Sequence, residues 1–499
     1  MKSLLSYIQP YFESQLSLLA VVIVTLLTLF GGYYKFKISP LLGKNLPPGA
    51  QGFPLIGESI GFLKAQKNDK TKEWLDKRLS KYGPIFKTSL MGSPVVVLTG
   101  QAGNKFIFSA NDAIASNQPV SVARIIGAHS IFELQGKRHK LVRGAMMNFL
   151  RPESIQRFVG EMDSIIKEQL LQELKGKDSL HVVTMMKKVT FKVTCSLLFG
   201  LPEGKEKDAL LEDFTIALKG TWAIPIDFPG TIFRQAVQAR DRITIVITEL
   251  VRRRKKEMED GIGKSREDII SSFLLLRDAD ESLLEDEIVD NIVSLIIASH
   301  DTAAIVLTLL LRHLARDTHV YDTVLAEHKE IIKTTEGNDG KLRWNEVQKM
   351  KYTWRVAQEL MRVTPPVFGN FKRTTKDTSF GGFDIPKGWQ LFWVACATHM
   401  DEKIFQEPEK FDPSRFENPS KSVLPYTYVP FGAGPRGCPG VDFARIEMLL
   451  IIHHLITNYR WTEMIPNEAL TREPMPYPAM GLPIKLHPRS DTINSTCNL

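Results

Sequence analysis

Cysteine is scarce in this chain. Four residues, Cys195, Cys396, Cys438 and Cys497, are scattered over 499 positions, and no CxxC pair occurs. That scarcity excludes a disulfide scaffold and a zinc centre built on paired thiols, and it fits a reducing compartment. Charge of one sign is not concentrated either: the formal net charge is +8 and the sequence pI about 9.0. No basic stripe interleaved with aromatics and no nucleic-acid motif is present, so no nucleic-acid partner is expected. An anionic membrane surface or an acidic protein face suits such a modest excess better. Repeats, low-complexity linkers and composition breaks are missing from 53–488, which argues for one large domain. A hydrophobic content of 43% is enough for its core.

One long charge-free run is present, Leu16 to Tyr34. Its length is close to the ~20 residues that a helix needs to cross a bilayer, so a transmembrane helix is expected over 16–34. Glu13 precedes it and Lys35, Lys37 and Lys44 follow, and the positive-inside bias leaves everything downstream in the cytosol. A cleaved signal peptide would need a shorter apolar core and a small-residue cleavage site, whereas this run ends in Phe30, Tyr33 and Tyr34. The stretch "NLPPGAQGFP" (Asn45 to Pro54) holds consecutive prolines, which fix φ and favour an extended arm. The expected organisation is an anchor over 1–36, a proline-rich hinge over 37–52, a body over 53–488 and a polar tail over 489–499. Asn494 in that tail lies in an Asn-X-Thr sequon, but a cytosolic C-terminus never meets the glycosylation machinery.

Within the body, "GPIFKTSLMGSPVVVLTG" (Gly83 to Gly100) carries two β-prone runs separated by Gly92-Ser93-Pro94, a hairpin signal. Apolar residues at helical spacing mark Phe158 to Leu174, Asp208 to Leu218, Arg240 to Glu259, Glu285 to Arg316 and Val320 to Lys333. Short β-prone pieces recur near Thr378 to Ile385 and Gly481 to Leu486. The class is mainly α with small β-sheets.

A lone cysteine is most often a small buried hydrophobe, so the case for Cys438 rests on its neighbours. Phe431, Gly434, Arg436, Cys438 and Gly440 form F-x-x-G-x-R-x-C-x-G, followed by a helical pattern from about Val441. Glycines let backbone approach a flat cofactor and leave amide N–H groups free to point at a thiolate, tuning its donor strength. Arg436 offers a fixed cation for a carboxylate, Phe431 a shield, and the helix start a positive dipole end.

This stretch resembles the haem-binding loop of the haem-thiolate monooxygenases, the cytochromes P-450. The likeness implies the P-450 fold and haem b, with Cys438 as the iron ligand whose thiolate favours O–O cleavage. Further signatures agree with it. "ELMR" holds the Glu359 and Arg362 of the family's E-x-x-R, and Arg415 in "FDPSRF" stands where the family places a third partner of a buried structural network. "ASHDTA" matches the oxygen-side helix motif, with Asp301 and Thr302 as its catalytic acid-alcohol pair. Two positions depart: Ser299 replaces the usual Gly and Ala303 the second hydroxyl. The alternative for Thr302 is a hydroxyl bonded back to its own helix. His139 and Arg143, four apart in "GKRHKLVR", match the helix that grips haem propionates, against the plainer reading of a solvated basic helix. In "FGNFKRTT" the family's Phe-Arg is Phe371-Lys372, and Arg373 one place later is the expected propionate ligand, with Lys372 the alternative.

The resemblance extends over 45–488. "LPPGAQGFPLIGES", "AIPIDFPGTIFRQAV" and "MKYTWRVAQELMR" look like plant members that oxidise triterpenoids and diterpenoids. A polycyclic terpenoid is the implied substrate. Val122, Ile126, Ser294, Ala298, Val367, Phe368 and Met480 are the pocket positions that the family layout supplies. The implied activity is an NADPH- and O2-dependent monooxygenase fed by an NADPH-cytochrome reductase, single-pass in the endoplasmic reticulum membrane with its body cytosolic. It can hydroxylate once or continue to aldehyde and acid. A reductase-independent isomerase or dehydratase, a haem sensor, and oxidation of a sterol-type hormone are the competing readings.

Overall fold

A computed structural model describes residues 41–489, except 54–55, 110–111, 222, 262–267, 279–280, 336–340, 419–422 and 473–474, together with a few helical positions between 21 and 28. The anchor expected over 16–34 lies outside the described residues apart from those positions, as does the tail from 490. Arg489 belongs to the body and not to the tail: its Nε donates to Ile456 O at 3.0 Å and its backbone N–H to Asn458 O at 2.9 Å. The hinge is not a free arm over its described part. Asn45 donates to Gly382 O and Asp384, each at 2.8 Å, Lys44 pairs with Asp377, and Lys87 N–H donates to Pro48 O at 2.7 Å.

The architecture centres on the helix Glu285–Arg316. Acidic residues fill its first turn, Glu287 accepting from Leu284 N–H at 2.8 Å, and Arg316 lies in its last, as the helix dipole favours. Among the described residues it is the one helix long and apolar enough to cross a membrane, but it is a core element. It packs against Val182–Phe199, Ile232–Glu259, Lys351–Val363 and Val441–Asn458. Lys205–Thr221 packs in turn on Ile232–Glu259.

Beside the helices lies a five-stranded sheet in the order Ile85–Leu90, Ser93–Leu98, Gln390–Val394, Gly369–Thr374 and Ile114–Ser116. Gln390–Val394 runs parallel to Ser93–Leu98, and a parallel pair needs a long crossover, which here includes the whole long-helix bundle. The first two strands form the expected hairpin, with Leu90 opposite Ser93. Its turn is Met91-Gly92, both at positive φ, and not the Gly92-Ser93-Pro94 expected from sequence. Pro94 lies in the strand, one residue before pairing with Gln390–Val394 begins at Val95, so its missing N–H costs no bond on that side. A smaller sheet joins Tyr459–Glu463, Pro483–Pro488 and Ser179–His181, and Leu470–Arg472 pairs with Pro476–Pro478 as a separate hairpin.

Buried neutral histidines tie the bundle together and make it acid-sensitive. His328 meets Thr353 Oγ1 and His453 Nδ1, each at 3.0 Å, and His399 Nε2 accepts Val429 N–H at 2.9 Å. Burial lowers each of His328 and His399 from 6.5 to about 3. The unfolded chain therefore binds more protons between those values, so this stability is complete above pH 6.5 and is lost as pH falls toward 3. Each histidine costs about 1.4 kcal/mol per pH unit in that window. The urea midpoint is expected to drop between pH 7 and pH 5, less steeply in His399→Gln; identical pH slopes would refute the assignment.

Candidate active site

Cys438 sits in the loop that feeds the helix Val441–Asn458. Its N–H donates to Phe431 O at 2.8 Å and Gly437 N–H to Gly434 O at 3.0 Å, so the loop is closed by its own backbone. Gly434 has φ +66°, and a Cβ there would lie 2.1 Å from Phe108 O, so only glycine fits. The Cys438 side chain is accessible, yet it sits deep in the protein. That burial pushes the thiol up, against the Gly440 amide and the Arg143 charge, which favour the thiolate.

Four basic residues converge near it. His139 and Arg143, on the helix Gly136–Leu150, share the electrostatic surroundings of Arg436 and Lys372. Burial, then Arg436, Arg143 and Lys372, lower His139 to about 4; burial and Arg436 lower Lys372 to about 8. Among the described residues no carboxylate lies within ion-pair distance of Arg143, Lys372 or Arg436. Arg436 donates to Leu134 O at 2.6 Å and Ile131 O at 3.4 Å. The nearby carboxyl, Glu133, has a buried Oε1 without a partner, and burial raises its pKa despite Arg373 and Arg436. Such a knot of desolvated cations around a thiol suits a cofactor that carries carboxylates and a thiolate-binding metal, as haem does. Arg373 is exposed and Lys372, the inward cation of the strand, replaces it in this cluster. Adjacent strand residues face opposite sides. Phe371 stacks on Phe392 in the sheet core, leaving Lys372 on the other face.

On the long helix, positions 291–311 are all buried except Ala298, Ser299 and Thr302. Ala298 and Thr302 are one turn apart, so the opening is a single narrow face of small side chains. Ser294, expected on that face, is fully buried with its hydroxyl on Asn291 O at 2.8 Å. The Thr302 hydroxyl donates to Ala298 O at 2.7 Å and that of Ser299 to Leu295 O at 2.7 Å. The back-bonded form of Thr302 is thus present, and it keeps the oxygen on the open face with lone pairs to spare.

Asp301 points elsewhere. It is 4% exposed, with Lys187 Nζ 2.8 Å from Oδ1 and the Tyr477 hydroxyl donating to Oδ2 at 2.6 Å. Burial pushes its carboxyl up, but Lys187, then His300 and the Tyr477 hydroxyl, together outweigh that and hold it below the usual carboxylate range. Both partners escaped the sequence reading. His300 is buried, bonded through Nδ1 to Ile296 O at 2.7 Å and packed edge-on against Phe191.

Glu359 and Arg362 are fully buried and paired by two bonds of 2.7 and 2.8 Å, with Arg415 Nε 3.3 Å from Glu359. Of the expected pocket positions, Val122 is buried, Ile126 half-buried against the core, and Val367 and Met480 are 36% and 62% exposed. Phe368 is not on an open surface: it packs on Phe392 within the sheet core, and Arg472 lies over its ring. A separate groove of about 440 Å³ runs along Pro152–Leu174, lined by Asp163, Lys167 and Lys341, and shares no residue with the Cys438 cluster.

A helix-rich body, a cysteine in a glycine-arginine loop, a carboxylate-seeking cation cluster and a small-residue opening together define a haem-thiolate protein. The family model for cytochrome P450 matches residues 47–486, and the chain belongs to that family of oxidoreductases, whose fold implies a haem cofactor. Cytochrome P450 716A1 of Arabidopsis thaliana is 40% identical, over 89% of this chain and 93% of its own. Beta-amyrin 28-monooxygenase of Medicago truncatula is 38% identical, over 96% and 99%. Taxane 10-beta-hydroxylase of Taxus cuspidata is 37% identical, over 95% of each chain. Among solved structures, retinoic-acid-bound cyanobacterial CYP120A1 superposes with a TM-score of 0.78 at 29% identity, covering 90% of this chain and all of that one.

Proposed function

We propose that this protein is a membrane-anchored monooxygenase that hydroxylates a polycyclic terpenoid, a triterpenoid or a diterpenoid. The carrying observation is the Cys438 thiol set among His139, Arg143, Lys372 and Arg436. The substrate class rests on relatives that are named for beta-amyrin and taxanes. With haem bound, Cys438 would ligate its iron, Arg143, Lys372 and Arg436, together with the neutral His139 ring, would hold its carboxylates, Phe431 would shield the sulfur side, and Gly434 and Gly440 would let the backbone come close. Haem, when bound, would supply the oxygen chemistry of a monooxygenase, in which two electrons from NADPH through a flavoprotein reductase let one atom of O2 enter a substrate C–H bond and the other leave as water. Ala298 would leave room for the substrate and Thr302 would present its hydroxyl oxygen on the same face, while Asp301, turned away from that face, would serve proton supply from the side of the partly exposed Lys187. Val122, Ile126, Val367 and Met480 supply apolar wall.

Exposed Ile224, Ile226 and Phe228 in the loop before the helix Ile232–Glu259, with Ile232 at that helix's start, support a membrane contact in addition to the anchor. The body faces the cytosol of the endoplasmic reticulum, so protease added to intact microsomes should digest it, and full protection would overturn that topology. Co-expression with a plant reductase in cells making β-amyrin, lupeol, a dammarane or an abietane diene tests the substrate. A product heavier by one oxygen from any of these supports the reading. Conversion only of a sterol, or turnover without reductase, favours one of the competing readings.

The Thr302 hydroxyl carries a distinct expectation. Its removal in Thr302→Ala takes away the hydroxyl oxygen on the open face, and with it the bond to Ala298 O, without touching Cys438 or the cation cluster. The variant should keep haem and NADPH consumption but lose product by about 100-fold or more in favour of hydrogen peroxide, the range for a lost proton-transfer group. Unchanged product per NADPH, both there and in Thr302→Ala with Ser299→Gly, would reduce the threonine to a helix feature.

A further inference from the structure

Tyr477 has no place in the motifs above, yet it makes one of the shortest contacts to Asp301. It stands on Pro476–Pro478, the second strand of the small hairpin, three residues before Met480. Its hydroxyl reaches Asp301 Oδ2 at 2.6 Å, across 176 residues of sequence, and Lys187 Nζ lies 4.5 Å from the centre of its ring. Lys187, on the helix Val182–Phe199, holds the other carboxylate oxygen and is 27% exposed. The start of that same helix is tied to the chain just past the hairpin: Val182 and Val183 N–H donate to Leu482 O and Gly481 O, each at 3.1 Å. Glu468, which precedes the hairpin, accepts from the N–H groups of Met480 and Leu482. The long helix, the Lys187 helix and the hairpin segment therefore close a ring of polar contacts whose junction is Asp301.

We infer that Tyr477 is a positioning residue that latches the hairpin to Asp301, so that the hairpin's position sets the orientation of the acid serving oxygen reduction. The inference rests on the monooxygenase reading above, in which Met480 at the hairpin end borders the substrate. A ligand that pushes on the Met480 side moves the strand carrying Tyr477 and changes the hold on Oδ2. Lys187 keeps Oδ1 in the same setting from its partly exposed side. Hairpin and acid are then one device, and substrate fit and proton supply change together.

Tyr477→Phe removes the hydroxyl and keeps the ring that packs under Lys187. Two measurements on the full-length protein decide the matter without any substrate. Hydrogen–deuterium exchange of peptides spanning 469–482 reads the latch directly and needs neither reductase nor NADPH. The ratio of oxygen to NADPH consumed with reductase reads proton supply: one O2 per NADPH when the product is hydrogen peroxide, one O2 per two NADPH when both oxygen atoms become water. The expected result is exchange at least about threefold faster in 469–482 and a ratio displaced toward one, with an unchanged carbon monoxide spectrum. Lys187→Gln should displace the ratio in the same direction, and Lys187→Arg should restore it. Unchanged exchange in Tyr477→Phe overturns the latch. Faster exchange with an unchanged ratio overturns its role in oxygen chemistry and leaves a purely structural tie. If β-amyrin and a taxane-type diterpene bind neither protein and give no product, the terpenoid reading falls, while exchange and ratio still judge Tyr477.

Discussion

Cys438→Ser is expected to abolish the strongly red-shifted carbon monoxide spectrum of the reduced protein and to bring product formation to background, with the fold retained. Serine is nearly the same size, and the backbone bond from residue 438 to Phe431 O does not involve the side chain. What is lost is the sulfur. A thiol becomes a soft, electron-rich ligand once deprotonated, whereas a serine hydroxyl stays protonated at neutral pH and is a poor partner for iron. In the protein alone, burial opposes ionisation of Cys438, and the Gly440 amide and Arg143 only partly offset it. The thiolate therefore depends on the metal itself to stabilise the charge, as coordination does for thiols generally. Haem content should fall as well, because three cations and a neutral histidine without a coordinate bond from residue 438 hold the carboxylates but not the iron. A Cys438→Ser protein that retained the red-shifted spectrum would remove Cys438 from the ligand position.

The Cys438 loop was legible because its chemistry is contiguous: turn glycines, the cation and the sulfur stand within ten residues, Phe431 to Gly440. The long helix was legible to its ends, since Glu285 and Arg316 bound an apolar pattern with charges of the sign that each end prefers. By contrast, Val182–Phe199 was absent from the sequence reading although Thr184, Lys188, Lys192 and Ser196 recur at helical spacing, because that polar stripe is narrow and twelve of its eighteen residues are buried. The Met91-Gly92 turn was missed because Pro94 looks like a turn residue until the edge of its pairing is known. Lys372 and Arg373 could be separated only by strand parity, which depends on the stacking of Phe371 on Phe392. Lys187 and Tyr477 lay beyond sequence reasoning for a different reason. Their partnership with Asp301 exists only once the helices and the hairpin have packed, and nothing local in "MMKKV" or "MPYPAM" announces it.

Arg362→Ala should have the largest effect on folding. Arg362 has no exposed surface, and its guanidinium donates twice to Glu359, to His399 O and Pro408 O at 2.8 Å each, and weakly to Met400 Sδ at 3.4 Å. Alanine strands the Glu359 carboxylate in the core with only Arg415 and the Asp412 N–H, 2.9 Å away, and leaves the buried His399 carbonyl and the half-buried Pro408 carbonyl without this donor. Breaking such a pair by removing one partner costs about 3–5 kcal/mol, a large part of the roughly 5–15 kcal/mol that holds a domain folded. The damage would also reach the site. The Arg362 bond to His399 O fixes the residue whose Nε2 accepts Val429 N–H, two residues ahead of Phe431, so the network props the chain entering the Cys438 loop. Arg362→Lys should rescue little, because one ammonium cannot reproduce the two-pronged bond to Glu359. Arg415→Ala should cost only about 1 kcal/mol, its side chain being partly exposed and its contact longer. The urea midpoint and the carbon monoxide spectrum per milligram of soluble protein should therefore rank wild type, Arg415→Ala, Arg362→Lys and Arg362→Ala in descending order. An Arg362→Ala protein with the wild-type midpoint would mean that the core absorbs an unpaired Glu359 at no cost, and the account of this network would fail.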